Sequence, residues 1–290
     1  MAMLPSVVIV GAGNVGCVLG RFLYSKGLTI SALIERDSMK LDLARSAIVA
    51  LAHEKLLTGI PEHPAAVLLC VQDQKIAVLA EKLAALDRSW EGVFVAHTSG
   101  MQTSDDLRPL LDRGAVTGSF HPIQSFPSPY IDVQRLHGIG CGIEGDGAFL
   151  AQARDFAAQI GWEPVVIRKQ QKALYHLACV YAGNLITTLA ADSLEILRGA
   201  TSEDADLAPL MPMIQSVLSE ILASSPRGAF TGPVARGDAA SIETHIAALT
   251  RFKPDLLPLY LELVRSSLRL ATLPEGRRAE VLDVLARHPG

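Results

Sequence analysis

The amino-terminal stretch SVVIVGAGNVG, residues 6–16, constrains the fold more than any other part of this chain. Its first residues, Ser6 to Val10, are nearly all apolar and β-branched, which predicts a short buried strand. The glycines that follow have the spacing G-x-G-x-x-G, and a helical pattern continues from Val15 to about Ser25. A strand, a glycine-rich turn and a helix in this order are typical of a dinucleotide-binding unit.

Each residue of this turn has a physical reason to be there. Gly11 allows the tight turn, Gly13 lets a pyrophosphate approach the backbone, and Gly16 lets the helix pack closely on the strand. The first helical turn, which includes Asn14 and Val15, offers free N–H groups and a partial positive charge to phosphates. We therefore predict that these five residues contact a cofactor.

Strand-like and helical segments alternate over the first part of the chain. The predicted strands cover residues 6–10, 28–34, 65–71, 92–96, 115–119, 138–143 and 163–167, and the second predicted helix covers 39–57. This alternation predicts an α/β fold with a Rossmann-like, doubly wound and mostly parallel sheet.

Residues 170–288 show helical periodicity and no strand signal, and Gly and Pro divide them into about five or six helices. We therefore predict two domains, a Rossmann-like dinucleotide-binding domain over residues 1–168 and an all-α domain over residues 169–290.

The end of the second predicted strand bears on the choice of dinucleotide. Glu35 lies about twenty residues after the glycine turn, where an acid usually accepts a hydrogen bond from the adenine ribose and selects NAD. Arg36 and Ser38 follow directly, and a guanidinium at this position pairs with the 2′-phosphate of NADP. The residues themselves leave NAD and NADP open, and an exposed charged turn is the structural alternative.

Further candidates follow three other predicted strands, whose carboxyl ends meet at one edge of a parallel sheet. The residues at these ends that we predict to contact the cofactor are Val71, Gln72, Asp73, His97, Thr98 and Ser99. Ser99 and His121 are also candidates for catalysis, because a hydroxyl and an imidazole there would face the nicotinamide. Structural, hydrogen-bonded histidines are the alternative for His97 and His121.

The helical half begins with polar residues in an apolar setting. Lys172, His176 and Asn184 have similar angular positions on one helix, which predicts a common face. On that face His176 would donate a proton, Asn184 would orient a carbonyl and Lys172 would bind substrate, whereas a buried His–Asn pair is the alternative. Arg236, in a later Gly-rich turn, is a candidate carboxylate or phosphate clamp or an ordinary solvated side chain.

Composition excludes several classes of protein. A net charge of −4 gives no electrostatic footprint for nucleic acid or an anionic membrane. The four cysteines are widely spaced and form no C-x-x-C pair, so we expect neither a metal site nor disulfides. No uninterrupted apolar run of about 18 residues occurs, which argues against a membrane span. We expect a cytoplasmic enzyme.

Five segments carry a resemblance to a known family: GAGNVG, HTSG at 97–100, GSFHPIQSF at 118–126, YHLACVYAGN at 175–184 and TGPVARGD at 231–238. Together they resemble a bacterial Rossmann-like family of unknown function that is usually described as an NADP oxidoreductase. It is similar, more distantly, to ketopantoate reductases, pyrroline-5-carboxylate reductases and β-hydroxyacid dehydrogenases. The resemblance implies a homodimer formed through the helical domain, and it slightly favours NADP.

One departure limits what can be transferred. The β-hydroxyacid dehydrogenases pair a catalytic Lys with an Asn one helical turn later, but here His176 stands four residues after Lys172, and Asn184 stands twelve after it. We expect an NAD(P)-dependent oxidoreductase that acts on a small anionic carbonyl or imine in an interdomain cleft. A non-catalytic dinucleotide-binding sensor or partner-binding protein is the alternative.

Overall fold

The computed structural model describes residues 6–62, 64–201 and 204–288. The strands are β1 Ser6–Val10, β2 Thr29–Ile34, β3 His53–Glu54, β4 Ala66–Leu69, β5 Phe94–His97, β6 Val116–Pro122, β7 Gly140–Gly145 and β8 Glu163–Val166. The helices are α1 Asn14–Ser25, α2 Ser38–Ala47, α3 Ile76–Ala84, α4 Arg108–Leu111, α5 Gly147–Ile160, α6 Lys172–Ala182, α7 Asn184–Ala200, α8 Met211–Ala223, α9 Pro233–Arg236, α10 Ala239–Phe252, α11 Leu257–Ser267 and α12 Glu275–Arg287.

The strands form one sheet in the order β3-β2-β1-β4-β5-β6-β7-β8. Every neighbouring pair is parallel except β6 and β7, so the predicted mostly parallel, doubly wound sheet is confirmed. Strands β1 to β3 are added toward one edge of the sheet and β4 to β8 toward the other, so the strand order reverses between β1 and β4. Open sheets of this kind bind ligands at such a reversal, beyond the carboxyl ends of the strands.

Apolar side chains fill both faces of this sheet. On one face the rings of Phe94 and Phe149 stack at 4.9 Å between centroids, and Phe120 and Trp162 stack at 5.8 Å. On the other face Trp90 is fully buried, and its indole N–H donates to the Leu83 carbonyl at 3.1 Å. Strands that are covered on both faces are apolar throughout, which explains why uninterrupted apolar runs in the sequence predicted strands correctly.

The predicted helix over residues 39–57 is wrong in its second half. Helix α2 ends at Ala47, and Ile48 is extended, with φ −122° and ψ 129°. The chain then runs beside β2, where the Leu51 amide donates to the Ile30 carbonyl at 2.9 Å, and forms the short strand β3. Pairing with β2 outweighs the helical period of this segment, which is a tertiary effect.

The chain divides into two compact units, the first ending at Gly183 and the second beginning at Asn184. The division falls later than the predicted boundary after residue 168, because Lys172 and Tyr175 of α6 bond to Ser119 and His121 of β6. The backbone at Gly183, with φ −119° and ψ −74°, separates α6 from α7. The single helix predicted to carry Lys172, His176 and Asn184 is therefore divided: Lys172 and His176 lie on α6, and Asn184 begins α7.

The second unit is helical, as predicted, and its described part holds six helices, one of them the single turn α9. Its core is a cluster between α10, α11 and α12 that includes Ile242, Ile246, Leu261 and Val281. Helices α7 and α8 contain no buried residue.

One helical stretch in the described part of the chain, Lys169–Ala200, has the length and composition of a membrane span, with a mean hydropathy of 1.3, and none of its most apolar window is buried. The criterion of an uninterrupted apolar run missed this stretch, because mean hydropathy tolerates isolated polar residues.

Candidate functional site

The glycine turn has the geometry that the sequence predicts. Gly11 has a φ of +106°, and a Cβ atom there would lie 2.5 Å from the Cys70 carbonyl oxygen. A Cβ at Gly16 would overlap the Gly11 carbonyl oxygen, whereas a Cβ at Gly13 would meet nothing within 4 Å. Only glycine fits at positions 11 and 16, and the open space at Gly13 suits a diphosphate close to the backbone.

The first turn of α1 is also suited to phosphate. Gly13 is the N-cap residue and supplies no side-chain acceptor to the helix, and Asn14 and Val15 follow it as the first helical residues. The free N–H groups at such a terminus bind anions. The Asn14 side chain itself donates to the Phe126 carbonyl at 2.8 Å, so it holds the loop after β6 in place.

Glu35 braces the turn from the end of β2. Its carboxylate accepts from the Ala12 amide at 2.9 Å and from the Asp37 amide at 3.0 Å. Arg36 and Ser38 are exposed at the same strand end. Lys55, which sequence reasoning missed, lies just beyond β3, and its Nζ donates to Ser38 Oγ at 2.6 Å.

The residues after β4 lie next to the glycine turn, as predicted. Val71 packs against Gly11, since a Cβ at that glycine would lie 2.9 Å from Val71 Cγ1. Gln72 and Asp73 are exposed at the start of a 3-10 turn, Asp73–Lys75. Their polar groups are therefore accessible at the carboxyl edge of the sheet.

His97 differs from its prediction as a cofactor contact. Its ring is fully buried, Nε2 lies 3.1 Å from the Thr103 carbonyl, and Nδ1 accepts from the Ser99 amide at 3.2 Å. Burial lowers the pKa of His97 to about 4, so the imidazole is neutral. Both ring nitrogens hold the loop after β5, which matches the structural alternative. Thr98 beside it is half-buried, and its amide donates to the Leu69 carbonyl.

Ser99 also has a structural role, which differs from its prediction as a catalytic hydroxyl. Its Oγ accepts from the Met101 and Gln102 amides at 3.1 and 3.0 Å, which folds the loop. Its backbone carbonyl accepts from Ser119 Oγ at 3.1 Å. The backbone of Ser99, rather than its hydroxyl, is the part that faces the neighbouring strand.

Lys172 reaches the sheet from α6, and only 2% of its surface is exposed. Its Nζ donates to the Ser99 carbonyl at 3.1 Å and to Ser119 Oγ at 2.7 Å. Burial lowers the pKa of the ammonium to about 8, and the charges of Glu144 and Asp73 oppose that shift. The predicted contact with substrate does not fit an ammonium that is buried and already bonded to two oxygens.

His121 at the end of β6 is paired with a residue that sequence reasoning missed. Its Nδ1 lies 2.6 Å from the Tyr175 hydroxyl. Gly142 is the cross-strand neighbour of His121, and a Cβ there would overlap that hydroxyl. A glycine directly opposite a histidine is thus the signal that could have revealed the missing partner.

The protonation states of this pair follow from burial. Burial, with the nearby Lys172 charge, lowers the pKa of His121 to about 4, and burial raises the pKa of Tyr175 well above its usual range. Both groups are therefore neutral near pH 7, and a protonated phenol donates while a neutral imidazole nitrogen accepts. We infer that Tyr175 donates to Nδ1, which leaves the ring proton of His121 on Nε2.

Gly100 brings the two candidate catalytic histidines together. A Cβ at Gly100 would lie 3.0 Å from His121 Nε2 and 2.8 Å from His176 Cδ2. The two rings thus flank one glycine at the carboxyl edge of the sheet. Both histidines belong to the first unit, although the sequence predicts them in different domains.

Glu144 fixes the loop that carries these groups and was also missed by sequence reasoning. Its carboxylate is 2% exposed and accepts from the Ser104 amide at 2.8 Å and from Ser104 Oγ at 2.7 Å. Lys169 Nζ lies 3.9 Å from it and 2.8 Å from the Asp105 carboxylate. A buried acid with two hydrogen-bond donors from Ser104 and an ammonium nearby anchors this loop to β7.

The remaining two candidates lie in the second unit and are exposed: Asn184 at the start of α7, and Arg236 at the end of α9. Within that unit, neither side chain joins a cluster of catalytic type. In the part of the chain that the structure describes, no group of His, Cys, Asp or Glu is arranged to hold a metal ion.

Comparison with known proteins agrees with this architecture. The Rossmann-like domain model matches residues 2–122, and the model of the domain of unknown function DUF2520 matches residues 139–267. No curated protein matches the sequence.

Several solved structures share the fold. A Bacteroides fragilis protein described as a "putative NADP oxidoreductase", BF3122, is 22% identical, with a TM-score of 0.74 over 91% of this chain and 98% of its own. Protein TM1727 from Thermotoga maritima is 26% identical, with a TM-score of 0.70 over 94% and 99%. A reductive aminase from Aspergillus terreus, in complex with NADPH4, cyclohexanone and allyl amine, is 16% identical, with a TM-score of 0.62 over 99% of both chains.

The resemblance found in the five motifs is therefore confirmed: in this chain a Rossmann-like domain is followed by a DUF2520 domain.

Proposed function

We propose that this protein is an NAD(P)-dependent oxidoreductase that transfers a hydride to or from a small, anionic carbonyl or imine compound. The observation that carries the proposal is the pair of imidazoles at Gly100, of which His121 is neutral and fixed by Tyr175. Structural neighbours described as an NADP oxidoreductase and as a reductive aminase support the same class of reaction.

The glycine turn fits the dinucleotide. Gly11 and Gly16 allow the tight turn and the close packing of α1, Gly13 leaves open space for a diphosphate, and the free N–H groups of α1 would bind its oxygens. When bound, the dinucleotide supplies or accepts the hydride at its nicotinamide. The protein's own residues must then orient the substrate and move one proton.

The two histidines would divide these tasks. A neutral His121 with its proton on Nε2 donates a hydrogen bond to a carbonyl oxygen or imine nitrogen and so orients it. Proton transfer falls to His176, the other imidazole beside Gly100, since histidine is the side chain most often used for this step. The buried positive charge of Lys172 lies close to His121, which favours an anionic substrate.

Binding and turnover measurements test the proposal. We expect the purified protein to bind NADPH or NADH, seen as a change in nicotinamide fluorescence, and to reduce at least one member of a panel of keto acids and cyclic imines. His176→Gln should lower kcat by about 10²-fold or more, as the loss of a general acid does.

A matched variant keeps the test specific. Tyr175→Phe leaves the ring but removes the hydroxyl, so His121 should lose its fixed tautomer, which the ¹⁵N chemical shifts of its ring report.

A protein that binds dinucleotide, turns over no substrate of the panel and functions normally in cells when it carries His121→Gln and His176→Gln would be a sensor instead. That result would overturn the enzymatic proposal.

We also propose that the protein forms a homodimer through α7 and α8. These helices expose nine large apolar side chains: Leu185, Ile186, Leu189, Ile196, Met211, Met213, Val217, Leu218 and Leu222. Their exposed area is on the order of the 800 Å² per partner that a standard interface buries. A second copy of the chain covers such a face in the commonest kind of oligomer.

A membrane fits this surface less well. Helix α7 carries Asp192 and Glu195 in its middle, and each charge at the centre of a bilayer costs about 2.5 kcal/mol or more. Sedimentation or light scattering should therefore give twice the chain mass of 31.0 kDa in the absence of detergent.

Charge introduced into the surface tests the interface. The double variant Ile186→Glu, Leu189→Glu should be monomeric, whereas Leu51→Glu, which alters an exposed leucine of the first unit, should stay dimeric. A wild-type protein that is monomeric at every concentration, or that binds liposomes in place of itself, would contradict the proposal.

A further inference from the structure

We propose that residues 123–131, which we call the strap, form one wall of the dinucleotide site, and that Arg21 is the positioning residue that holds this wall against α1. The strap would contact the half of the dinucleotide that carries the nicotinamide, so it would serve NAD and NADP equally. The inference rests on the dinucleotide binding proposed above, and it adds to that site a segment outside the glycine turn.

The order of the strands gives the distance that the strap must cross. The strap begins directly after β6, whereas the glycine turn follows β1, and β4 and β5 lie between these two strands. Neighbouring strands are about 4.8 Å apart, so the ends of β1 and β6 are separated by about 14 Å. Ligands of such sheets lie beyond the carboxyl ends of these same strands. A dinucleotide that extends from the glycine turn toward His121 would therefore run across the same interval.

A bond from Asn14 shows that the strap makes this crossing. Asn14 is the first residue of α1, and its Nδ2 donates to the Phe126 carbonyl at 2.8 Å. Phe126 is five residues after His121, which is a reach of about 17 Å at full extension. The segment between them is therefore nearly extended along the carboxyl edge. Ser125 is exposed on it and offers a hydroxyl, a group that can bind a ribose.

Arg21 holds the far end of the strap. It lies seven residues after Asn14, which places both side chains on one face of α1, about 10.5 Å apart along the axis. Its Nη2 donates to the Pro129 carbonyl at 2.9 Å and to the Ile131 carbonyl at 2.7 Å. Its Nε is buried without a partner, so the bonds of this guanidinium in the described part of the chain are the two to the strap.

Apolar contacts support the same arrangement. Phe126 and Ile131, close to the two bonded points, are half-buried and pack against the core on this face of the sheet. The strap is thus ordered along α1 before a ligand binds, and a pre-organised wall lowers the entropy that binding costs. Loss of the Arg21 bonds would return that cost to the dinucleotide.

Binding of whole and truncated ligands tests the wall. Arg21→Met keeps an apolar stem but removes the donors. It should weaken NADH and NADPH binding, measured by nicotinamide fluorescence, about 10-fold each. ADP lacks the nicotinamide half, so its affinity, measured by calorimetry, should change less than about twofold. A loss confined to the nicotinamide half separates a positioning role from general damage to α1.

Lys26→Met is the matched control. Lys26 is the C-cap residue of the same helix, and its ammonium lies over the Phe22 ring at 5.4 Å. Its loss removes an equal charge but no bond to the strap, so all three affinities should change less than about twofold. Arg21→Lys keeps an ammonium that can donate to a carbonyl, and it should restore most of the affinity for NADH and NADPH. Thermal stability confirms that each variant is folded.

Hydrogen exchange of the wild-type protein gives a test without any variant. Saturating NADH should slow the exchange of the amides in residues 123–131 about 10-fold, because a bound ligand restricts the opening of the strap. Saturating ADP should leave these amides unchanged.

Three results would overturn the inference while leaving the proposed function standing: NADH does not slow exchange in the strap, Arg21→Met binds NADH as tightly as the wild-type protein, or this variant loses affinity for ADP and NADH equally. A wild-type protein that binds neither dinucleotide would instead overturn both proposals.

Discussion

The two units of this protein differ in how completely they bury their apolar side chains. In the first unit Phe149 is fully buried against the sheet and stacks on Phe94. In the second, Ile246 is buried between α10, α11 and α12, whereas Leu222 on α8 is 89% exposed. The sheet is covered on both faces by its own chain, but the helices of the second unit are packed along one seam only.

This difference shows which apolar surfaces the chain buries by itself and which it leaves exposed. A residue that contributes to folding through burial must be covered within the chain, and those of α7 and α8 are not. Exposed apolar surface on this scale marks an interaction site, which is why we propose that a second copy covers it. Both tryptophans, Trp90 and Trp162, lie in the first unit, so their fluorescence follows that unit alone.

The largest effect is expected in the core of the first unit. Phe149→Ala removes a fully buried ring that packs from α5 onto the sheet. The loss should lower the free energy of unfolding by about 3–5 kcal/mol. Urea unfolding followed by tryptophan fluorescence measures this loss. A conservative Phe149→Leu should cost less, and equal costs for both variants would show that ring packing is not the cause.

A somewhat smaller effect should appear in the second unit. Ile246→Ala empties part of the cluster between α10, α11 and α12 and should cost about 2–4 kcal/mol. Circular dichroism at 222 nm should show the loss as an earlier transition of part of the helical signal, while the tryptophan transition stays in place. If both transitions move together, the two units unfold as one body and the comparison fails.

A smaller effect is expected from acid, which should lower the free energy of unfolding of the first unit. The pKa of His97 in the folded protein is about 4, against about 6.5 when unfolded, so the unfolded chain binds more protons between these values. Stability is therefore present above pH 6.5 and is lost as the pH falls, by about 2 kcal/mol between pH 7 and pH 5. His121, whose pKa is also about 4 but which is only half-buried, should add a smaller loss.

The tryptophan transition measured at pH 7 and pH 5 checks this prediction. His97→Gln lacks the titrating group, so the difference between the two pH values should shrink even if the variant is less stable at both. An unchanged difference would show that His97 does not carry the acid sensitivity of the first unit.

Much of the fold could be predicted because its signals are local. The strand, turn and helix around Gly11 are set by neighbouring residues, and apolar runs of four to six residues marked most strands. Signals that depend on distant partners failed. The segment after Ala47 has a helical period but pairs with β2, and the predicted helix therefore hid the position of Lys55, whose Nζ donates to Ser38 Oγ.

The candidate site shows the same division. From the sequence, His121 and His176 are both candidates for catalysis, but they are predicted in different domains, whereas the structure places both in the first unit. The sequence could not assign their roles. The partner of His121 is Tyr175, which is 54 residues away and stands in an ordinary apolar helix, and its only sequence signal is the glycine at position 142.

The sequence by itself determined the order of the elements, the glycine turn and the set of polar residues at the carboxyl edge of the sheet, because these depend on residue type and short-range spacing. Only the tertiary structure decided that Glu35 bonds to the glycine turn, that Lys172 is buried, and that α6 falls in the same unit as the sheet. Those outcomes depend on hydrogen bonds whose partners are distant in the chain, and no local pattern records which distant groups will meet.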